Sequence, residues 1–112
     1  MATLSAIRER TRSERLTALR ERVAPLVSGR AGLKVLLFGS LARGDWDAFS
    51  DVDLLAVGPD AAKADQLADA LLAARVADDV IALPEARWNE LGSGTDPYWQ
   101  AIARDAICLA SS

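Results

Sequence analysis

Two runs constrain this chain more than anything else in it: residues 33–38 read L-K-V-L-L-F and residues 51–57 read D-V-D-L-L-A-V. Each is too short for a buried helix and too apolar for a solvated loop, so each predicts a strand, the first buried on both faces. The first run stops at Gly39-Ser40 and the second at Gly58-Pro59, residues that break regular structure. A third run, D-V-I-A-L at 79–83, ends at Pro84, and 106–110 predicts a fourth strand at an edge. Between the second and third, the alanine-rich stretch 60–74 sets Ala64, Leu67, Leu71 and Leu72 on one helical face behind Asp60. Upstream, Leu16, Leu19, Val23 and Leu26 recur at helical spacing after T11-R-S-E14. They predict a helix over about 12–27 that opens on a capping box, is weakened late by Pro25 and ends at Ser28-Gly29. Residues 1–10 either extend this helix or fray. Further short helices are expected over 40–46, followed by a turn near Asp47-Ala48, over 85–91, and from an Asp96-Pro97 cap to about 104. The class is α/β, a small mixed sheet of three or four strands with helices mainly on one side.

The 112 residues have the length of one domain, expected to span 1–112. No stretch approaches the roughly 20 apolar residues of a membrane span, and no apolar signal core opens the chain, so a cytoplasmic location is expected. Cys108 is the only cysteine and histidine is absent. That combination excludes an intrachain disulfide, a zinc cluster and the commonest general base. Any acid–base chemistry runs through carboxylates, Lys34 or Lys63, Tyr98 or a metal-bound group. Charge is divided unevenly: residues 1–30 carry seven arginines against three glutamates, and residues 31–112 carry six cations against thirteen acids. The basic segment, with Arg8, Arg10, Arg12 and Arg15, is either an interface or the solvated face of a helix. The acidic remainder suits a site that recruits cations rather than nucleic acid.

Asp51 and Asp53 are two apart on a predicted strand, so both carboxylates leave the same face. Side by side they repel until a cation neutralises them, and hard oxygen donors without histidine or cysteine favour magnesium or manganese. Taken alone, an acidic pair of this kind is more often a solvated strand face. Gly39-Ser40 adds context, because a glycine directly after a buried strand lets backbone amides approach a phosphate.

The whole segment, G39-S-L-A-R-G-D-W-D-A-F-S-D51-V-D53-L-L, resembles the minimal nucleotidyltransferases of the polymerase-beta-like superfamily. Their signature is Gly-Ser, ten residues (here 41–50), then Asp-x-Asp. Ala-Arg-Gly at 42–44 and Ser-Asp-x-Asp-Leu at 50–54 match the family's wording, and the late Pro97-Tyr98-Trp99 fits its order of elements. The resemblance implies a polymerase-beta-like nucleotidyltransferase core in which Gly39 and Ser40 contact the triphosphate of ATP. It implies that Asp51 and Asp53 bind two magnesium ions, completed by a third acid on a neighbouring strand. Asp78 and Asp79 are both candidates for the third acid; Asp79, opening D-V-I-A-L, is preferred. Arg43 either reaches phosphate or pairs with an acid. Trp46 and Phe49 depart from the polar residues usual in this loop, and either stack on a base or partner or fold onto the core. Tyr98 and Trp99 read as packing residues, and Ser50 as a turn or cap.

Free-standing domains of this kind resemble the antitoxin of two-gene modules whose toxin is a HEPN-domain ribonuclease. The implied function is transfer of AMP from Mg-ATP to a hydroxyl, a tyrosine's, on that toxin, within a hetero-oligomer and without membrane or direct nucleic-acid binding. The expected absence of a second, acceptor-holding domain puts the acceptor on another protein and argues against a subunit of an aminoglycoside-type nucleotidyltransferase. A non-catalytic antitoxin that acts by binding alone is the other alternative; the intact Asp51, Asp53 and Asp79 favour the enzyme.

Overall fold

A computed structural model describes residues 3–44 and 51–112. Its longest element, α1 (Leu4–Val27), begins well before the capping box at Thr11 and Glu14. Thr3 is the N-cap instead, its hydroxyl accepting from the Ala6 amide at 3.1 Å. Residues 4–10 are mostly good helix formers, so the helix runs straight through Thr11. With no free amide left to accept from, Thr11 donates to the Ile7 carbonyl at 3.0 Å, one turn back. The far end is as expected: Pro25 falls in the last turn, Ser28 caps, and Gly29 takes a left-handed φ of 75°.

The rest follows the sequence closely. The elements are β1 (Lys34–Phe38), α2 (Ser40–Arg43), β2 (Asp53–Gly58), α3 (Ala61–Ala73), β3 (Asp79–Pro84), α4 (Glu85–Gly92), α5 (Pro97–Asp105) and β4 (Ile107–Ser111). Asp60 and Asp96 cap α3 and α5, accepting from Lys63 at 2.8 Å and Tyr98 at 2.9 Å. The four strands form one mixed sheet in the order β3-β2-β1-β4. β1 runs antiparallel to both neighbours, whereas β2 and β3 are parallel and are joined through α3. The expected turn at 47–48 and the residues Trp46, Phe49 and Ser50 lie outside the described residues.

Alternation along the strands divides the interior in two. Val35 and Leu37, Leu54 and Ala56 face Leu19 and Val23 of α1 and Leu67 and Leu71 of α3. This is the larger core, and fully burying each such leucine contributes about 1.5–3 kcal/mol. The two long helices therefore share one face of the sheet. Leu36, Phe38, Leu55 and Val57 point the other way, where Trp88 of α4 and Trp99 and Ile102 of α5 cover part of that face. Among the described residues no helix is long and apolar enough to cross a membrane.

Candidate active site

Because β1 is antiparallel to β2 while β3 is parallel to it, three strand ends meet at one end of the sheet. They are the exit of β1 at Phe38 and the entries of β2 at Asp53 and of β3 at Asp79. Asp53 is paired with Phe38 on one side and with Asp79 on the other. Val52 and Leu54 enter the larger core, so Asp53 projects from the opposite face, in line with Leu55 and Val57. The same alternation places Asp79 with Ile81 and Leu83 on that face. Asp51, expected on the same strand as Asp53, instead precedes β2, which starts at Asp53, and is exposed.

Electrostatics show these acids acting on one another. The Asp53 carboxyl is raised above its ordinary value of 3.8, first by partial burial and then by the charges of Asp79, Asp51 and Asp78. Among the described residues no three such side chains are drawn together tightly enough to be a ready-made metal cage. The donor chemistry, all hard carboxylate oxygen, fits magnesium.

The two candidates for the third acid do different things. Asp78 is engaged with the backbone: its Oδ2 accepts from the Val52 amide at 2.7 Å, and its own amide donates to the Val52 carbonyl at 2.9 Å. It thus clamps the residue between Asp51 and Asp53. The Asp79 carboxylate has no such bond among the described residues and is exposed.

Gly39 leaves β1 with φ at 80°, and a Cβ there would come within 2.7 Å of Asp53 Oδ2. The glycine therefore does two jobs: it allows the left-handed turn and it makes room for the carboxylate. Ser40 opens α2 directly after it, and the Arg43 amide donates to the Gly39 carbonyl at 3.1 Å. On the far side of this turn a groove of about 160 Å³ separates Gly39 and Arg43 from Tyr98, Arg104 and Asp105 of α5. Asp105 is held below its ordinary carboxylate range, first by its hydrogen bond from Arg104 and more weakly by the charges of Arg104 and Arg43. Arg43 thus lies close enough to Asp105 to feel it while facing the same groove as Gly39. Trp99 packs into the second cluster, as expected, but Tyr98 is 59% exposed at the groove's rim, where it meets Trp99 edge-on at 5.5 Å.

Arg12 is the residue that sequence reasoning missed. Read with Arg8, Arg10 and Arg15 as part of either an interface or a solvated face, it instead reaches across to the loop, where Nε donates to the Leu41 carbonyl at 3.1 Å and Nη2 to the Ala42 carbonyl at 3.0 Å. Those are end carbonyls of the four-residue α2, which has few internal bonds of its own. Nothing local marks Arg12 out, since its partners lie about 30 residues away.

The nucleotidyltransferase domain family model matches residues 16–89, from within α1 into α4. Among solved structures, the chain resembles one in the crystal structure of a toxin–antitoxin with AMP-PNP, at 20% identity and a TM-score of 0.51. The likeness covers 83% of this chain and 73% of the other, and at that identity it is one of fold. No curated protein matches the chain. The four-stranded mixed sheet with its helices is the polymerase-beta-like core that the Gly-Ser and Asp-x-Asp spacing led one to expect.

Proposed function

Since the chain belongs to the nucleotidyltransferase domain family, we propose that residues 1–112 form one catalytic domain that transfers AMP from ATP to a hydroxyl of a partner protein. The partner is the toxin of a toxin–antitoxin pair, a HEPN-type ribonuclease, and the acceptor is a tyrosine. The single observation that carries the catalytic part is Asp53 paired with Asp79 across β2 and β3, with its Oδ2 against Gly39 at the exit of β1. The partner reading draws support from the toxin–antitoxin structure that shares the fold.

In this reading Asp51, Asp53 and Asp79 would hold two magnesium ions, which supply positive charge to the triphosphate and acidify the acceptor hydroxyl. Gly39 and Ser40 receive the phosphates on the β1 side of Asp53, with Arg43 across the turn as a further cation. Asp79, on the outer strand, faces the side from which the hydroxyl arrives. The hydroxyl oxygen bonds to the α-phosphorus, the bond to pyrophosphate breaks, and the hydroxyl proton is lost, giving the AMP ester and pyrophosphate. Asp78 keeps Asp51 and Asp53 in register through Val52, and Arg12 steadies the loop that carries Gly39.

The test is direct. Incubating the domain with its co-encoded partner, ATP and magnesium should raise the partner's mass by whole AMP units, and Asp53→Asn should stop this. If the variant neutralises the partner equally well and no mass is gained with either protein, neutralisation is by binding alone.

A further inference from the structure

Where the basic segment 1–30 packs on a remainder that carries thirteen acids against six cations, three arginines line a single groove of about 560 Å³ between α1 and the turn that leaves α3. Arg15 and Arg22 come from α1 and Arg75 from the turn. The groove ends at Val52 and Asp78, so it lies one residue from Asp51, Asp53 and Asp79 around the end of the sheet.

The groove is held in shape. Arg22 Nη2 donates to the carbonyls of Ala74 at 2.9 Å and Arg75 at 3.3 Å, tying the turn to α1. Arg75 is the one described non-glycine residue with a left-handed backbone, φ 56°; it follows the C-cap of α3, and the turn is closed by its amide on the Leu72 carbonyl and the Val76 amide on the Leu71 carbonyl. Its guanidinium makes no hydrogen bond or ion pair among the described residues and is exposed. Among the described lining residues Asp78 is the one acid, and its Oδ2 accepts from the Val52 amide. Leu19 and Val76 form an aliphatic floor, and Leu72, 44% exposed, stands at the edge.

We propose that this groove docks an acidic, leucine-bearing segment of the acceptor protein and so delivers the neighbouring hydroxyl to the acids; this rests on the protein-acceptor reading above. Charge complementarity selects an anionic occupant. The aliphatic floor of Leu19 and Val76 suits the apolar side chain of a polypeptide, whereas single-stranded nucleic acid is held largely by stacking its bases on aromatic rings. The triphosphate is not the occupant, because Val52 turns its side chain to the groove and the larger core while Asp53 and Gly39 meet on the opposite face.

Two variants suit the backbone at this position. Arg75→Gly relieves the left-handed φ, and Arg75→Asp places there a residue that tolerates it. The probe is a short fluorescent peptide of alternating Glu and Leu around one Tyr, read by anisotropy, with a Lys-for-Glu peptide and an oligoadenylate as comparators. Wild type should bind the acidic peptide alone, with affinity falling as salt rises. Arg75→Gly should weaken this several-fold and Arg75→Asp about tenfold or more, both with unchanged Mg-ATP affinity and circular dichroism. No binding of the acidic peptide by wild type overturns the proposal, as does equal binding of the Lys peptide. Oligoadenylate binding that Arg75→Asp abolishes overturns it in favour of nucleic acid, and loss of Mg-ATP binding in that variant reassigns the groove to the nucleotide. Mg-ATP binding by wild type, measured in parallel, tests the active-site reading separately.

Discussion

Asp53 and Asp79 are register partners in the parallel pairing of β2 and β3, and both project from the face opposite α1 and α3. A parallel pair sets like residues side by side at equal height, so two carboxylates separated by a whole helix in sequence meet at one sheet end. Partial burial first, and then the charges of Asp79, Asp51 and Asp78, raise the Asp53 carboxyl.

That shift gives a prediction for the metal-free domain. The folded pKa of Asp53 lies above its ordinary 3.8, so the folded state holds the proton more tightly than the unfolded one. Stability then falls as pH rises from the unfolded pKa through the folded one, and the penalty is fully present above it. Asp53→Asn should therefore raise the thermal midpoint at pH 7, and the gain should disappear in acid below about pH 3.8. Magnesium and ATP should stabilise wild type and leave the variant unmoved, a loss greater than the roughly 10–100-fold that follows removal of an outer-sphere partner. Scanning calorimetry across pH, with and without Mg-ATP, reads both.

Gly39→Ala should both destabilise the fold and damage the site. The left-handed φ of 80° costs an alanine about 1–2 kcal/mol, and its Cβ would lie 2.7 Å from Asp53 Oδ2, forcing the carboxylate aside. Gly29→Ala is the control, since φ is 75° there but nothing lies within 4 Å of the new methyl. Chemical denaturation should show both variants losing about 1–2 kcal/mol, while Mg-ATP titration should show a loss only for Gly39→Ala.

Most of this architecture was legible in the sequence because short-range signals carried it. Apolar runs bounded by Gly58-Pro59 and Pro84 marked the strands, and Asp60 and Asp96 marked the helix starts they do cap. The Gly-Ser and Asp-x-Asp wording of 39–54 pointed to the family whose model matches residues 16–89. The misses have one cause, long-range choice among equivalent local options. Thr11 and Thr3 are both competent caps, and helix continuity from residue 4 decided for Thr3. Asp78 and Asp79, both weighed as the third carboxylate, differ only through a long-range contact: Asp78 accepts from the Val52 amide. Arg12 resembles its neighbours until α2 is set beside it.

Arg12→Ala should loosen the loop. Hydrogen bonds from a charged donor contribute about 1.5–3 kcal/mol, and Arg12 makes two, to Leu41 and Ala42, from a side chain only 19% exposed. A loss of about 2 kcal/mol is expected. Hydrogen exchange should quicken first at 40–44, and Mg-ATP affinity should drop more than in Arg10→Ala. Arg12→Lys should restore little, because an ammonium cannot span two carbonyls as the guanidinium fork does.

The last prediction separates the two acids before β3. Asp78 holds Val52 from both sides, accepting from its amide at 2.7 Å through Oδ2 and donating to its carbonyl at 2.9 Å through the backbone. Asp78→Ala removes the first bond and strands the amide of a buried residue, which should lower stability by about 1–2 kcal/mol. Asp78→Asn keeps an acceptor oxygen in place, so it should fold nearly as well as wild type and retain Mg-ATP binding. Asp79 is exposed and carries no structural bond of this kind, so Asp79→Asn should leave stability unchanged or slightly raised as repulsion on Asp53 is relieved. Mg-ATP binding and AMP transfer should nevertheless be lost in Asp79→Asn. The opposite pattern, with binding lost in Asp78→Asn and kept in Asp79→Asn, would make Asp78 the third metal-holding acid and leave Asp79 as a strand-opening residue.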